Sequence, residues 1–126
     1  MTRIWWALGI VLTCAALVVC LIPMPHVPQS FELNDKLAHI LGHTALAIYF
    51  TGLVARNRWW KIFAFLLVFG IFIEFAQHYM AMGRQGDPRD VIGNAAGAAL
   101  GLVLGLLGLS KWPVWLETLF GRRAAP

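Results

Sequence analysis

Four long apolar segments determine what this chain can fold into. They run over residues 4–22, 37–55, 59–80 and 91–109. A helix of about 20 residues crosses the hydrocarbon core of a bilayer, so each segment is long enough to span it. A chain of 126 residues that is 60% hydrophobic has too small an interior to bury this much apolar surface in water. The sequence therefore predicts an all-α membrane protein, a bundle of four transmembrane helices.

The segments and their short connections occupy nearly the whole chain, which predicts a single domain over residues 1–126. After the fourth segment, Trp112, Trp115, Leu119 and Phe120 recur at helical spacing. An apolar face rich in tryptophan is typical of a short helix that lies in the membrane interface. We expect this C-terminal interfacial helix over residues 113–121.

The distribution of Lys and Arg predicts the orientation. One side carries Arg3, Arg56, Arg58, Lys61, Lys111, Arg122 and Arg123, whereas the other carries Lys36, Arg84 and Arg89. Short loops rich in these residues resist translocation, so the first side should be cytoplasmic. This predicts a multi-pass protein with both termini in the cytoplasm. The formal net charge of +4 is explained by this topology and by membrane lipids as partners, and it does not indicate nucleic acid.

Polar residues that are unusual in membrane spans concentrate toward the outer face. They are Asp35, Lys36, His39, Glu74, Gln77, Arg84, Asp90 and Asn94. His39 and His43 are four residues apart, so both project from one face of the second helix. Glu74 lies inside an apolar segment, where a carboxylate is costly unless it faces the bundle interior or a cavity. These residues predict a polar site at the outer end of the bundle.

Two further patterns concern the helices themselves. Asn34 or Asp35 could cap the second helix and Asp90 the fourth, because their side chains can accept from free backbone N–H groups. Gly93, Gly97, Gly101 and Gly105 recur at intervals of four and form a groove on one face of the fourth helix. Such grooves let helices approach closely. We expect helix contact inside the bundle or a homo-oligomer through this face.

In these features the chain resembles the VanZ-like family, membrane proteins named after an accessory factor in teicoplanin resistance. The resemblance covers roughly residues 30–105. It depends on Asp35, Lys36, His39, Glu74, Gln77, Gly83, Arg84, Asp90, Asn94, Gly97 and Gly101, in that order. His43 stands where the family more often has an aromatic residue, and Arg89 lies in a more charged loop than usual, so neither is a candidate for a shared role. The resemblance implies the cytoplasmic membrane of a bacterium and a link to lowered teicoplanin susceptibility, without a reaction.

The predicted site could bind or modify an envelope lipid, a lipid-linked cell-wall precursor or a glycopeptide. Lys36, Arg84, Gln77, Asn94 and Asp35 are the candidate ligand-binding residues, with Lys36 and Arg84 suited to an anionic head group. For catalysis, Glu74, His39 and Asp90 are the candidates, because Glu and His can act as general acid or base. No cofactor is expected.

Three alternatives stay open at this point. His39, His43, Glu74 and His78 could bind zinc in a membrane hydrolase, although the His-Glu-x-x-His signature is absent. An oligomeric transporter or channel could use the polar residues, although these thin out toward the cytoplasmic half. Finally, the polar residues could form a purely structural lock between helices.

Overall fold

The computed structural model describes residues 2–22, 29–80 and 87–121, and no strand occurs in these ranges. Five α-helices follow one another: α1 (Thr2–Leu21), α2 (Gln29–Thr51), α3 (Trp59–Met80), α4 (Pro88–Leu106) and α5 (Trp112–Gly121). Short 3-10 turns, Arg56–Arg58 and Leu109–Lys111, precede α3 and α5. The predicted all-α character is confirmed.

Three of these helices are long and apolar enough to cross a membrane, where the sequence predicted four. They are α1, α3 with the turn that precedes it, and α4. Helix α2 has the necessary length, 23 residues. Its polar residues, among them Asp35, Lys36 and His39, lower its mean hydropathy. Length and apolarity therefore single out three spans in the described part of the chain.

Helix α2 is nevertheless the central helix, because it contacts α1, α3 and α4. This placement shields its polar side chains: His39, His43 and Thr44 are buried. Helix α1 lies at the periphery and exposes large apolar side chains such as Ile10, Val11 and Val18. The fold thus places its most polar long helix inside and an apolar one outside, an arrangement suited to a lipid surrounding.

The glycine groove of α4 packs against α2. A methyl group at Gly97 would collide with the carbonyl oxygen of Ile40, and one at Gly101 would lie 2.6 Å from that of Thr44. The Thr44 hydroxyl lies 2.9 Å from the Gly97 carbonyl oxygen, within reach to donate a hydrogen bond between the helices. Helix contact inside the bundle, one of the two predicted uses of these glycines, is present. A second chain would have to displace α2 to use this face, and homo-oligomerisation stays a prediction.

The apolar core fills one end of the bundle. It consists of Leu46, Ala47, Phe50, Trp59, Ile62, Leu66 and Ala98. At the same end, Trp112 stacks on Tyr49 with ring centroids 4.9 Å apart and meets Trp5 edge-on at 5.1 Å. Its indole N–H donates to the Tyr49 carbonyl oxygen at 3.1 Å. These contacts hold the start of α5 against α2 and α1.

Both predicted caps are wrong. Helix α2 begins at Gln29, so Asp35 lies within the helix and not at its start. The polar residues before the apolar segment are themselves helical. Helix α4 is capped by Asp87, whose Oδ1 accepts from the backbone N–H of Arg89 at 2.9 Å, and Asp90 follows in the first turn.

Candidate functional site

Buried polar side chains gather at the end of the bundle opposite the apolar core. Three helices contribute them: His39, His43 and Thr44 from α2, Glu74 and Gln77 from α3, and Asn94 from α4. The helical spacings of three and four place each set on one face. Since α2, α3 and α4 pack together, these faces converge in the interior. The predicted concentration of polar residues at one end is therefore present.

Glu74 lies inside the bundle, with 7% of its surface exposed. Its Oε2 accepts a hydrogen bond of 2.9 Å from the backbone N–H of Asp87, at the start of α4. Its other oxygen, Oε1, is buried without a hydrogen-bond partner among the described residues. Asp35, Asp87 and Asp90 are near enough to repel its negative charge. Glu74 is thus held by one oxygen and offers the other.

The partly exposed charged residues around Glu74 form a rim. Asp35 Oδ2 lies 3.8 Å from Nε2 of His39, which is itself buried. Lys36 Nζ lies 3.8 Å from Asp87 Oδ2. Asp90 has Lys36 as an electrostatic neighbour of opposite charge. The described rim is therefore more acidic than basic, and its one lysine already faces an aspartate.

His43 and Asn94 lie deeper. His43 Nδ1 is 3.0 Å from the carbonyl oxygen of His39, an acceptor, so Nδ1 carries the proton and Nε2 of the neutral ring is an acceptor. Asn94 is completely buried, with 0% of its surface exposed. A methyl group at Gly70 would lie 3.0 Å from Asn94 Nδ2 and 3.3 Å from His43 Nε2. Both side chains therefore border the backbone of α3 at Gly70.

Six buried polar atoms of these side chains have no hydrogen-bond partner in the part of the chain that the structure describes. They are both ring nitrogens of His39, Nε2 of His43, Oε1 of Glu74, and the two amide atoms of Asn94. Leaving one such group without a partner costs about 1–3 kcal/mol. We call His39, His43, Glu74 and Asn94 the polar cluster. Water or a bound polar group would satisfy it.

Two candidate residues remain, Gln77 and Arg84. Gln77 is buried, but its Nε2 donates to the Cys20 carbonyl oxygen at 2.7 Å, so it connects α3 to α1. Arg84 falls outside the described residues. Of the two residues expected to bind an anionic head group, Lys36 and Arg84, the structure describes only Lys36, and the role of Arg84 stays a prediction.

Sequence reasoning gave one residue of the site too small a role and missed another. Its spacing of four placed His43 on the same face as His39 and among the possible zinc ligands. It was not among the candidates for binding or catalysis because it departs from the family pattern, yet it is as buried as His39. Asp87 was missed. An aspartate directly before a proline is a typical helix start, which would have identified Asp87 as the residue that connects α4 to Lys36 and Glu74.

The four residues suggested for zinc, His39, His43, Glu74 and His78, do not form a metal-binding group. No group of three or more potential metal ligands from His, Cys, Asp and Glu exists among the described residues. His78 is exposed and lies against Tyr79, with ring centroids 5.5 Å apart, because Gln77 and not His78 shares the inward face of Glu74. The described residues therefore do not support the zinc-hydrolase hypothesis.

The described interior gives no polar route toward the other end of the bundle. Beyond Thr44 and Asn94, the buried side chains are mainly those of the apolar core. A polar pathway through a single chain is therefore not formed by these residues. An oligomeric channel stays a prediction.

Apolar helices with lipid-compatible surfaces, closed around buried polar residues at one end, define a small α-helical membrane protein. A family model described as VanZ/LLP1 matches residues 9–109. The chain belongs to this VanZ-like family, as its ordered polar residues predicted. Comparison with curated proteins and with solved structures gives no match.

Proposed function

We propose that the polar cluster binds a polar group of an envelope-associated molecule at the outer face of a bacterial cytoplasmic membrane. The observation that carries this proposal is the set of six buried atoms without partners, contributed by three helices. A structural lock would pair its own donors and acceptors, because each unmade bond lowers stability. Glu74, His39 and Asn94 instead have buried polar atoms without hydrogen-bond partners among the described residues.

The membrane placement is part of the proposal. Helix α2 spans the bilayer together with α1, α3 and α4, since its polar side chains are shielded by these neighbours. The aromatic end around Trp5, Trp59 and Trp112 lies at the cytoplasmic interface, which agrees with the excess of Lys and Arg at that end. Both termini are then cytoplasmic, α5 lies in the interface, and the polar cluster opens outward.

The chemistry of the site favours a neutral group that carries hydroxyls or amides. The Asn94 amide offers a donor and an acceptor. In a neutral His39 ring one nitrogen donates and the other accepts, and Glu74 Oε1 can accept a hydrogen bond. Four carboxylates, those of Asp35, Glu74, Asp87 and Asp90, disfavour a free anion. Cell-wall precursors and glycopeptides carry such hydroxyl and amide groups. Capture of one of them at the outer leaflet would lower teicoplanin susceptibility, the effect that the family resemblance implies.

Modification of the bound group would use Glu74 and His39. Both have atoms without partners among the described residues, and both can transfer a proton. Binding needs only the donors and acceptors and is the proposal tested first.

The test compares wild type with Glu74→Gln in teicoplanin-challenged cells and, for purified protein, in thermal unfolding in detergent. Glutamine keeps the size and one carbonyl oxygen, so the variant should stay folded and lose protection. His78→Gln is the matched control, because His78 is on the same helix but exposed. Protection that survives Glu74→Gln, or a wild type that never protects, would contradict the proposal.

A structural lock is the second candidate, favoured by specific contacts. Gln77 bonds to the backbone of α1, and Glu74 to the backbone at the start of α4. If Glu74→Gln lowers the unfolding temperature and abolishes protection together, the cluster acts chiefly through stability. The two readouts in the same variant thus separate binding from locking.

A further inference from the structure

A cavity of about 340 Å³ lies at the aromatic end of the bundle, opposite the polar cluster. It lies between the α2–α3 connection and the α4–α5 connection. Its lining includes Thr51, Arg56, Gly105, Gly108, Ser110 and Lys111. Ligand sites commonly measure about 300–1,000 Å³, so the cavity has room for a small polar head group.

The charged side chains among the described lining residues are both positive. Arg56 comes from one connection and Lys111 from the other, and none of the described acidic residues lines the cavity. Neither cation lies within 4.0 Å of a carboxylate oxygen among the described residues. Two cations facing one cavity without a partner repel each other and attract an anion. Arg supplies a planar fork of donors that matches phosphate oxygens, and Lys supplies a point charge.

The shape of the cavity is set by the backbone. Gly108 has a φ of 122°, which L side chains rarely adopt, and it turns the chain so that Lys111 returns toward the cavity. At Gly105 a methyl group would lie 2.9 Å from Thr51 Oγ1. The Ser110 hydroxyl donates to the Gly105 carbonyl oxygen at 3.0 Å, which braces the same turn. Lys111 is thus carried by a defined turn, and Arg56 belongs to the 3-10 turn that precedes α3.

We propose that this cavity binds the phosphate-bearing head group of an anionic lipid. The proposal uses the membrane placement given above, in which Trp59 and Trp112 mark the cytoplasmic interface. Lipid phosphates lie at that level, and anionic lipids attract basic residues there. A soluble phosphate ester shares the same chemistry, and the experiment separates the two sources.

Binding is measured as the rise in unfolding temperature of the full chain in detergent. The probes are short-chain phosphatidylglycerol, short-chain phosphatidylcholine and inorganic phosphate. Phosphatidylglycerol should give a saturable rise and phosphatidylcholine none, because its own ammonium group neutralises its phosphate. A response to inorganic phosphate as well would support the phosphate chemistry and extend it to soluble anions.

The variant Arg56→Gln/Lys111→Gln tests the two cations, and Arg58→Gln/Lys61→Gln is the matched control with the same charge change outside the cavity. All four side chains are exposed, so both variants should fold. The first should weaken apparent affinity for phosphatidylglycerol at least about tenfold, and the second less than about twofold. Equal losses in both variants, or no saturable rise in wild type, would overturn the proposal. Arg56→Lys, which keeps the charge, should retain most of the response.

Discussion

The backbone N–H of Asp87 donates a 2.9 Å hydrogen bond to Oε2 of Glu74, and this contact joins the C-terminal part of α3 to the residue directly before α4. The same aspartate caps α4 and faces Lys36 of α2. Asp87 therefore contacts α2, α3 and α4 beside the polar cluster. A hydrogen bond thus connects Glu74 of the polar cluster directly to the start of α4.

This contact predicts different outcomes for two substitutions of Glu74. Glu74→Gln keeps an oxygen that can accept from the Asp87 N–H, whereas Glu74→Ala leaves that N–H without its acceptor. We expect the alanine variant to lose about 1–3 kcal/mol of unfolding free energy relative to the glutamine variant. Equilibrium unfolding in mixed detergent micelles measures the difference. Equal stabilities would show that the contact does not stabilise the fold.

The glycine groove predicts a position-dependent effect of adding one methyl group. Gly97→Ala meets the Ile40 backbone, which cannot move without shifting α2, so we expect a loss of about 1–3 kcal/mol. Gly93→Ala is the control on the same face, since its methyl group would lie 3.5 Å from Ile40 Cγ1, an ordinary contact. That variant should be neutral or more stable, because alanine favours helix. Thermal unfolding of both proteins decides, and a destabilised Gly93→Ala would contradict the packing described here.

Trp112 predicts how α5 is held. Trp112→Phe keeps an aromatic ring against Tyr49 but removes the N–H that bonds to the Tyr49 carbonyl oxygen, which should cost about 1 kcal/mol. Trp112→Ala also removes the stacking and should cost about 2 kcal/mol or more. Trp115→Phe, at an exposed position, is the control. Proteolysis of the C-terminal segment reports the release of α5, and equal cleavage rates in all variants would argue against this anchor.

The proposed orientation predicts which residues are accessible from outside. In a chain whose Cys14 and Cys20 are replaced by serine, Arg89→Cys should react with a membrane-impermeant maleimide in spheroplasts. Asn57→Cys should react only after the membrane is broken. Both positions are exposed and lie at opposite ends of the bundle, so they form a matched pair. The reverse labelling pattern would invert the topology and place the polar cluster in the cytoplasm.

Much of the site could be predicted because its residues are costly in apolar helices. Glu74, His39 and Asn94 sit in spans where a polar side chain needs an interior position, and the structure buries all three. The all-α fold followed from segment length. These predictions depend only on local sequence and on the properties of the bilayer.

Other features depend on how the helices meet, which local sequence does not encode. Gln77 is three residues from Glu74, so helical spacing places both on one face of α3. Gln77 nevertheless donates to the Cys20 carbonyl oxygen of α1, because α1 packs against that part of α3. The sequence predicted the apolar segment of α2 but not that the helix begins at Gln29. Charged residues can belong to a helix outside the hydrocarbon core, so the start of the apolar segment does not mark the start of the helix. Helical spacing alone made His78 a candidate zinc ligand, but in the packed bundle its side chain is exposed and lies outside the polar cluster.

The central position of α2 has a consequence for how this protein is made. A helix with Asp35, Lys36, His39 and His43 partitions poorly into lipid by itself, whereas α1 and α3 partition readily. We expect α2 to be retained by the insertion machinery until α3 and α4 emerge to cover it. Synthesis would then proceed through a stage at which α1 is integrated and α2 is not. Truncation after α2 should give a protein that α1 anchors in the membrane and whose α2 segment stays accessible to protease.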